Sequence, residues 1–152
     1  MRTVILFAAC FVMILTEGVQ CALGHENKIL DQQSIAALEA TVSQAEPRYR
    51  CFLYAEIVQQ MSELSVRQYA SGNVAVATRM LKDIQRVVKK VHLSLSKDNK
   101  RLKETQILLS KTSFRLTQML HASDYVYQPL VKETLAQVNR AQREALLQVF
   151  QR

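Results

Sequence analysis

A chain of 152 residues with three glycines and two prolines has few places where it can turn back on itself. Gly18, Gly24 and Gly72, with Pro47 and Pro129, are all it has. Hairpins and tight turns of β proteins draw heavily on these two residues, so their scarcity predicts long helices joined by few connections. With 49% hydrophobic and 22% charged residues, the chain also has enough apolar surface to close a core, unlike a disordered polymer. Its length suits one domain.

Apolar residues recur at helical spacing from about Ile29 to the C-terminus. Ile35, Leu38, Val42 and Ala45 share one face of a short first segment. Pro47 then opens a second, a place proline tolerates at a helix start but not in its middle. That helix carries Leu53, Ile57, Met61 and Leu64, widened by Tyr54 and Val58. Ser71-Gly72-Asn73 should end it, with glycine in the left-handed cap and asparagine capping the next helix. A third segment holds Ala77, Met80, Leu81, Ile84, Val87, Val88, Val91 and Leu95 in register. A fourth holds Leu102, Leu109, Thr112, Leu116, Met119 and Leu120. After a loop at residues 123–128, Pro129 begins a last helix with Val131, Leu135, Val138, Ala145, Leu146 and Val149.

These patterns predict an all-α fold, an antiparallel helical bundle of four long helices plus a shorter N-terminal helix. Residues 96–99 (SKDN) are the expected break between the third and fourth long segments, with Asp98 as a cap. The alternative is one continuous helix over residues 73–120, because the apolar phase runs through the break without a slip.

The first two dozen residues differ from the rest. Met1-Arg2-Thr3 is short and positive, and residues 4–15 (VILFAACFVMIL) are an unbroken apolar run. A dozen apolar residues are too few for a bilayer, which needs ~20, but match the core of a secretory signal. Small residues at Ala22 and Gly24 favour cleavage before His25, with cleavage after Cys21 or Ala22 as the alternatives. The expected domains are therefore a signal peptide at residues 1–24 and one helical domain at residues 25–152, secreted or periplasmic, with no membrane span after cleavage. An uncleaved signal anchor is the alternative. Removal of Cys10 and Cys21 leaves Cys51, which cannot make an internal disulfide. It is either a small buried residue or a link between two chains.

Most site chemistries find no pattern. With Gly18 and Gly24 removed, no glycine-rich loop can bring backbone amides around a phosphate. There is no G-x-S-x-G, H-E-x-x-H or C-x-x-C. The Glu-x-x-His pair of di-metal bundles is absent, since Lys89 precedes His92 by three residues and Gln118 precedes His121. A haem-binding bundle would need His121 to face Met61, Met80 or Met119 across the core. Methionine at helical spacing is ordinary core filling. Glu56 and Glu63, one heptad apart, read as a solvated stripe. No enzyme and no cofactor are expected.

Charge is the informative feature. Residues 79–115 hold eleven Lys or Arg against Asp83, Asp98 and Glu104, a local net charge of +8. The whole chain carries +7, so the remainder is close to neutral. Arg79, Lys82, Arg86 and Lys89 are spaced to line one helix side, opposite Leu81, Ile84, Val88 and Val91. With Lys90, Lys97, Lys100, Arg101 and Lys103 they form the candidate surface for an anionic partner. No Phe, Tyr or Trp lies between Arg79 and Lys103 to stack on bases, which disfavours nucleic acid. The expected function is an exported, non-enzymatic protein that binds or scaffolds a protein or anionic component of the envelope or extracellular space. A metal- or haem-binding bundle and a membrane-tethered helical protein are the alternatives, and a purely solvating charged face is the simplest account of the basic run.

Overall fold

The computed structural model describes residues 32–151 except Lys97. The expected export signal at residues 1–24 and its cleavage before His25 lie outside the described residues. The chain is an all-α bundle: α1 (Gln32–Gln44), α2 (Pro47–Ala70), α3 (Val74–Ser94), α4 (Leu102–Ala122) and α5 (Gln128–Phe150). The four long helices have 24, 21, 21 and 23 residues, about 32–36 Å each.

Local chemistry accounts for most of the boundaries. Pro47 stands at the first position of α2, where its missing N–H would be unpaired in any case. At the other end Gly72 adopts φ +80°. The Asn73 N–H donates to Gln68 O at 2.9 Å and the Gly72 N–H to Tyr69 O at 3.0 Å, which together form a Schellman cap. Asn73 precedes α3 as expected, but its side chain does not cap that helix. Its amide instead donates back to Gln68 Oε1 at 2.8 Å, tightening the turn behind it.

The break between α3 and α4 is real, and the continuous helix over residues 73–120 does not form. Asp98 is not the cap. The residue before α4 is Arg101, held in the left-handed region at φ 60°. Long-range bonds fix this loop to the start of α2: Arg48 Nε donates to Asp98 O at 3.1 Å, and the Lys100 N–H donates to Arg48 O at 2.8 Å. Asn99 is buried and its amide donates to Ser94 O at 2.8 Å, which closes the end of α3.

Chain direction alternates, but neighbours in space do not follow sequence order. α2 packs on α3 and α4 on α5, as two antiparallel hairpins, while α3 and α4 lie on a diagonal. α4 therefore runs parallel to α2. Lys100 meets Arg48 at one end, and Tyr69 Oη accepts the Asp124 N–H at 3.0 Å at the other. α3 and α5 are likewise parallel: Gln85 Nε2 donates to Thr134 Oγ1 at 2.9 Å, and His92 hydrogen-bonds Glu144 further along.

The core runs down the middle of this square. Met61, Leu81, Ile84, Leu109, Leu116, Val131 and Val138 are among its fully buried side chains, each contributing on the order of 1.5–3 kcal/mol by leaving water. The third segment is buried as expected, except that Leu95 is half-buried. Leu146 is exposed instead of buried. Cys51 is fully buried with its thiol near Val91 O, and burial pushes that thiol up to about 11.

The short helix α1 departs most from its expected face. Ile35 and Val42 are buried, but Leu38 is 38% exposed and Glu39 is only 5% exposed. Glu39 lies four residues after Ile35 and three before Val42, so it shares their side of the helix. A carboxylate there requires partners, and α3 supplies them.

Candidate functional site

The basic run divides into groups with different duties. On α3, Arg79, Lys82, Arg86 and Lys89 are all exposed on the side away from the buried row Ala77, Leu81, Ile84, Val88 and Val91. Leu93, 82% exposed, continues the same outer row. The expected alignment of these four cations is therefore present. For Arg79, Lys82 and Lys89 no ion pair forms among the described residues.

Arg86 and Lys90 are committed to a partner within the protein. Both nitrogen groups converge on the carboxylate of Glu39 from α1. Arg86 Nη1 lies 2.6 Å from Glu39 Oε1 and 2.7 Å from Oε2, and Arg86 Nη2 lies 3.0 Å from Asp83 Oδ1. Lys90 donates to Glu39 Oε2 and sits 5.6 Å from the centre of the Tyr54 ring. Burial alone would raise the Glu39 carboxyl, but the hydrogen bonds from Lys90 and Arg86 outweigh it and hold the group below the ordinary carboxylate range. Burial would likewise lower Arg86, yet Glu39 and Asp83 hold its proton more firmly. The two cations are thus the clamp that holds α1 against the bundle.

The remaining cations gather around the α3–α4 loop. Lys100, Arg101 and Lys103 are exposed there, while Lys97 lies outside the described residues. The Arg101 guanidinium lies over the Phe52 ring, 3.7 Å from its centre, and its Nε is 3.6 Å from Glu104 Oε1. It covers an aromatic face as much as it offers charge. Because α3 and α4 are diagonal, Lys111 and Arg115 on the body of α4 do not extend the α3 row. The +8 of residues 79–115 is a sum over separate surfaces.

Three cations that the run did not include join it in space. Arg48 and Arg50, with Lys90, line an open polar cleft of about 640 Å³ between the start of α2 and the end of α3. Arg50 is tethered there by donating from Nε to Ala45 O at 2.9 Å, at the end of α1. Arg140 on α5 lines a second cleft beside Lys89. Nothing local marks these residues. They lie 40–51 positions from their partners, and only the packing brings them together.

The histidines and methionines take ordinary places. His121 is exposed near the end of α4, whereas Met61, Met80 and Met119 are buried. Among the described residues no group of three or more His, Cys, Asp or Glu could hold a metal ion, and no helix is long and apolar enough to cross a membrane. Glu56 and Glu63 are half-buried on α2, and Glu63 accepts from Gln59 Nε2 at 2.7 Å. Comparison of the chain with protein-family models, with curated proteins and with solved structures gives no match.

Proposed function

We propose that this is an exported, non-enzymatic helical protein that docks on an anionic component of the envelope or extracellular space through the outer row of α3. The observation that carries this reading is the exposed alignment of Arg79, Lys82 and Lys89, none of them neutralised by an ion pair among the described residues. Three cations on one rigid helix face act together on a surface of fixed negative charge, at about 1 kcal/mol each near an anionic lipid surface. A charged face of this kind needs no pocket, and its binding should be steered by long-range field.

The test is sedimentation of the purified protein with vesicles containing phosphatidylglycerol, and in parallel its retention on an acidic polysaccharide, at low and high salt. Binding near ~50 mM salt that disappears near ~500 mM is the expected result, since the Debye length shrinks several-fold over that range. No binding to either material at low salt overturns the proposal and leaves the row as a solvating surface.

A further inference from the structure

The seam between α3 and α5 holds a cleft of about 410 Å³, within the ~300–1,000 Å³ typical of ligand sites. Its lining includes small apolar side chains, Val88 of α3 with Ala136 and Ala141 of α5. Alanines at two positions along the α5 side leave unfilled the space that a leucine would occupy. Lys89 and Arg140, one from each helix, stand exposed along the lining. Neither forms an ion pair among the described residues, and Glu133 is the carboxylate that shares the lining with them. His92, also in the wall, is engaged by Glu144.

An apolar slot flanked by two uncommitted cations fits a ligand with the opposite arrangement. We propose that the α3–α5 cleft binds a single-chain amphiphile with an anionic head, the carboxylate meeting Lys89 and Arg140 and the alkyl chain lying against Val88, Ala136 and Ala141. The cleft is too small for a two-chain lipid, and it lies beside the outer row of α3 without using Arg79 or Lys82. The site shares Lys89 with that row, and the Arg79→Glu/Lys82→Glu protein separates the two roles.

Decanoate and its neutral counterpart 1-decanol, both below their self-association limits, are the probes, titrated calorimetrically into the full protein. Decanoate is expected to bind one-to-one, about tenfold or more tightly than decanol, with affinity rising about two- to fourfold per methylene across the C8–C12 acids. Ala136 is exposed, so Ala136→Phe can fill the slot from the surface and should abolish binding with helicity unchanged. Arg140→Gln should weaken decanoate about tenfold and leave decanol unaffected. Arg79→Glu/Lys82→Glu should leave decanoate affinity within about twofold, which separates the cleft from the row. Absence of saturable binding below about 1 mM overturns the proposal. So does decanoate binding that neither Ala136→Phe nor Arg140→Gln reduces, or that falls only in the Arg79→Glu/Lys82→Glu protein.

Discussion

Arg86 of α3 reaches across 47 residues of sequence to place its guanidinium 2.6 Å from the buried carboxylate of Glu39 on α1. That contact, doubled by Lys90, makes the short first helix part of the bundle even though it buries few apolar side chains. It also decides which cations of α3 remain available for anything outside the protein.

Replacing Glu39 by Gln should cost about 1–2 kcal/mol, because two cations lose their counter-charge although both are partly exposed and therefore partly screened. The pH dependence follows from the direction of the shift. The folded carboxyl titrates below its unfolded value of 4.5, so its contribution is complete above that value and fades as the pH falls through the folded one. Urea melts at pH 6 and pH 3 should show wild type losing more stability than Glu39→Gln over that interval. Equal losses in the two proteins would contradict this role.

The packing makes a sharp contrast among leucines. Leu109 and Leu116 are fully buried between α4 and its neighbours, so truncation of either to Ala should cost about 3 kcal/mol. Leu93 is 82% exposed at the end of α3, and its truncation should change stability by less than about 0.5 kcal/mol. Thermal melts of the three variants measure both limits.

Gly72 tests the cap between α2 and α3. A methyl group there would meet nothing within 4 Å, so any cost comes from backbone conformation at φ +80° and not from a clash. Gly72→Ala should destabilise by about 1 kcal/mol and Gly72→Asn by less, since asparagine tolerates the left-handed region better.

Cys51 should be silent in the folded protein. It is wholly buried, and its thiol is pushed up to about 11. At pH 8 its reaction with a thiol reagent should be at least ~100-fold slower in native than in urea-unfolded protein. A native rate close to the unfolded one would show that the α2–α3 seam opens freely.

How much of this was legible in the sequence depends on how local the chemistry is. Pro47 and Gly72 mark helix ends because each acts on its own backbone, and the seven-residue apolar row from Ala77 to Val91 is periodic enough to fix the inner face of α3. Asp98 has a capping side chain, but Arg48 and Lys100 hold the loop in a shape that makes Arg101 the residue before α4. Leu38 is exposed instead of sharing the inner face, and Glu39 is buried there because Arg86 and Lys90 meet its carboxylate, a partnership that residues 32–44 cannot announce. The diagonal placement of α3 and α4 has no sequence mark either, which is why one basic run in the chain becomes several basic surfaces in the fold. Arg140 enters beside Lys89 for the same reason.

The separation of unpaired from paired cations on α3 gives the most direct test of the account. Arg79→Glu/Lys82→Glu and Arg86→Gln/Lys90→Gln proteins would be compared with wild type for thermal stability and for binding to phosphatidylglycerol vesicles at low salt. The first pair should keep its melting temperature and bind about 30-fold or more weakly, from ~1 kcal/mol for each cation lost and further repulsion from each glutamate. The second should lose stability by about 2–4 kcal/mol through the abandoned Glu39 charge. If the Arg79→Glu/Lys82→Glu protein binds vesicles as tightly as wild type, the outer row of α3 is not the docking surface.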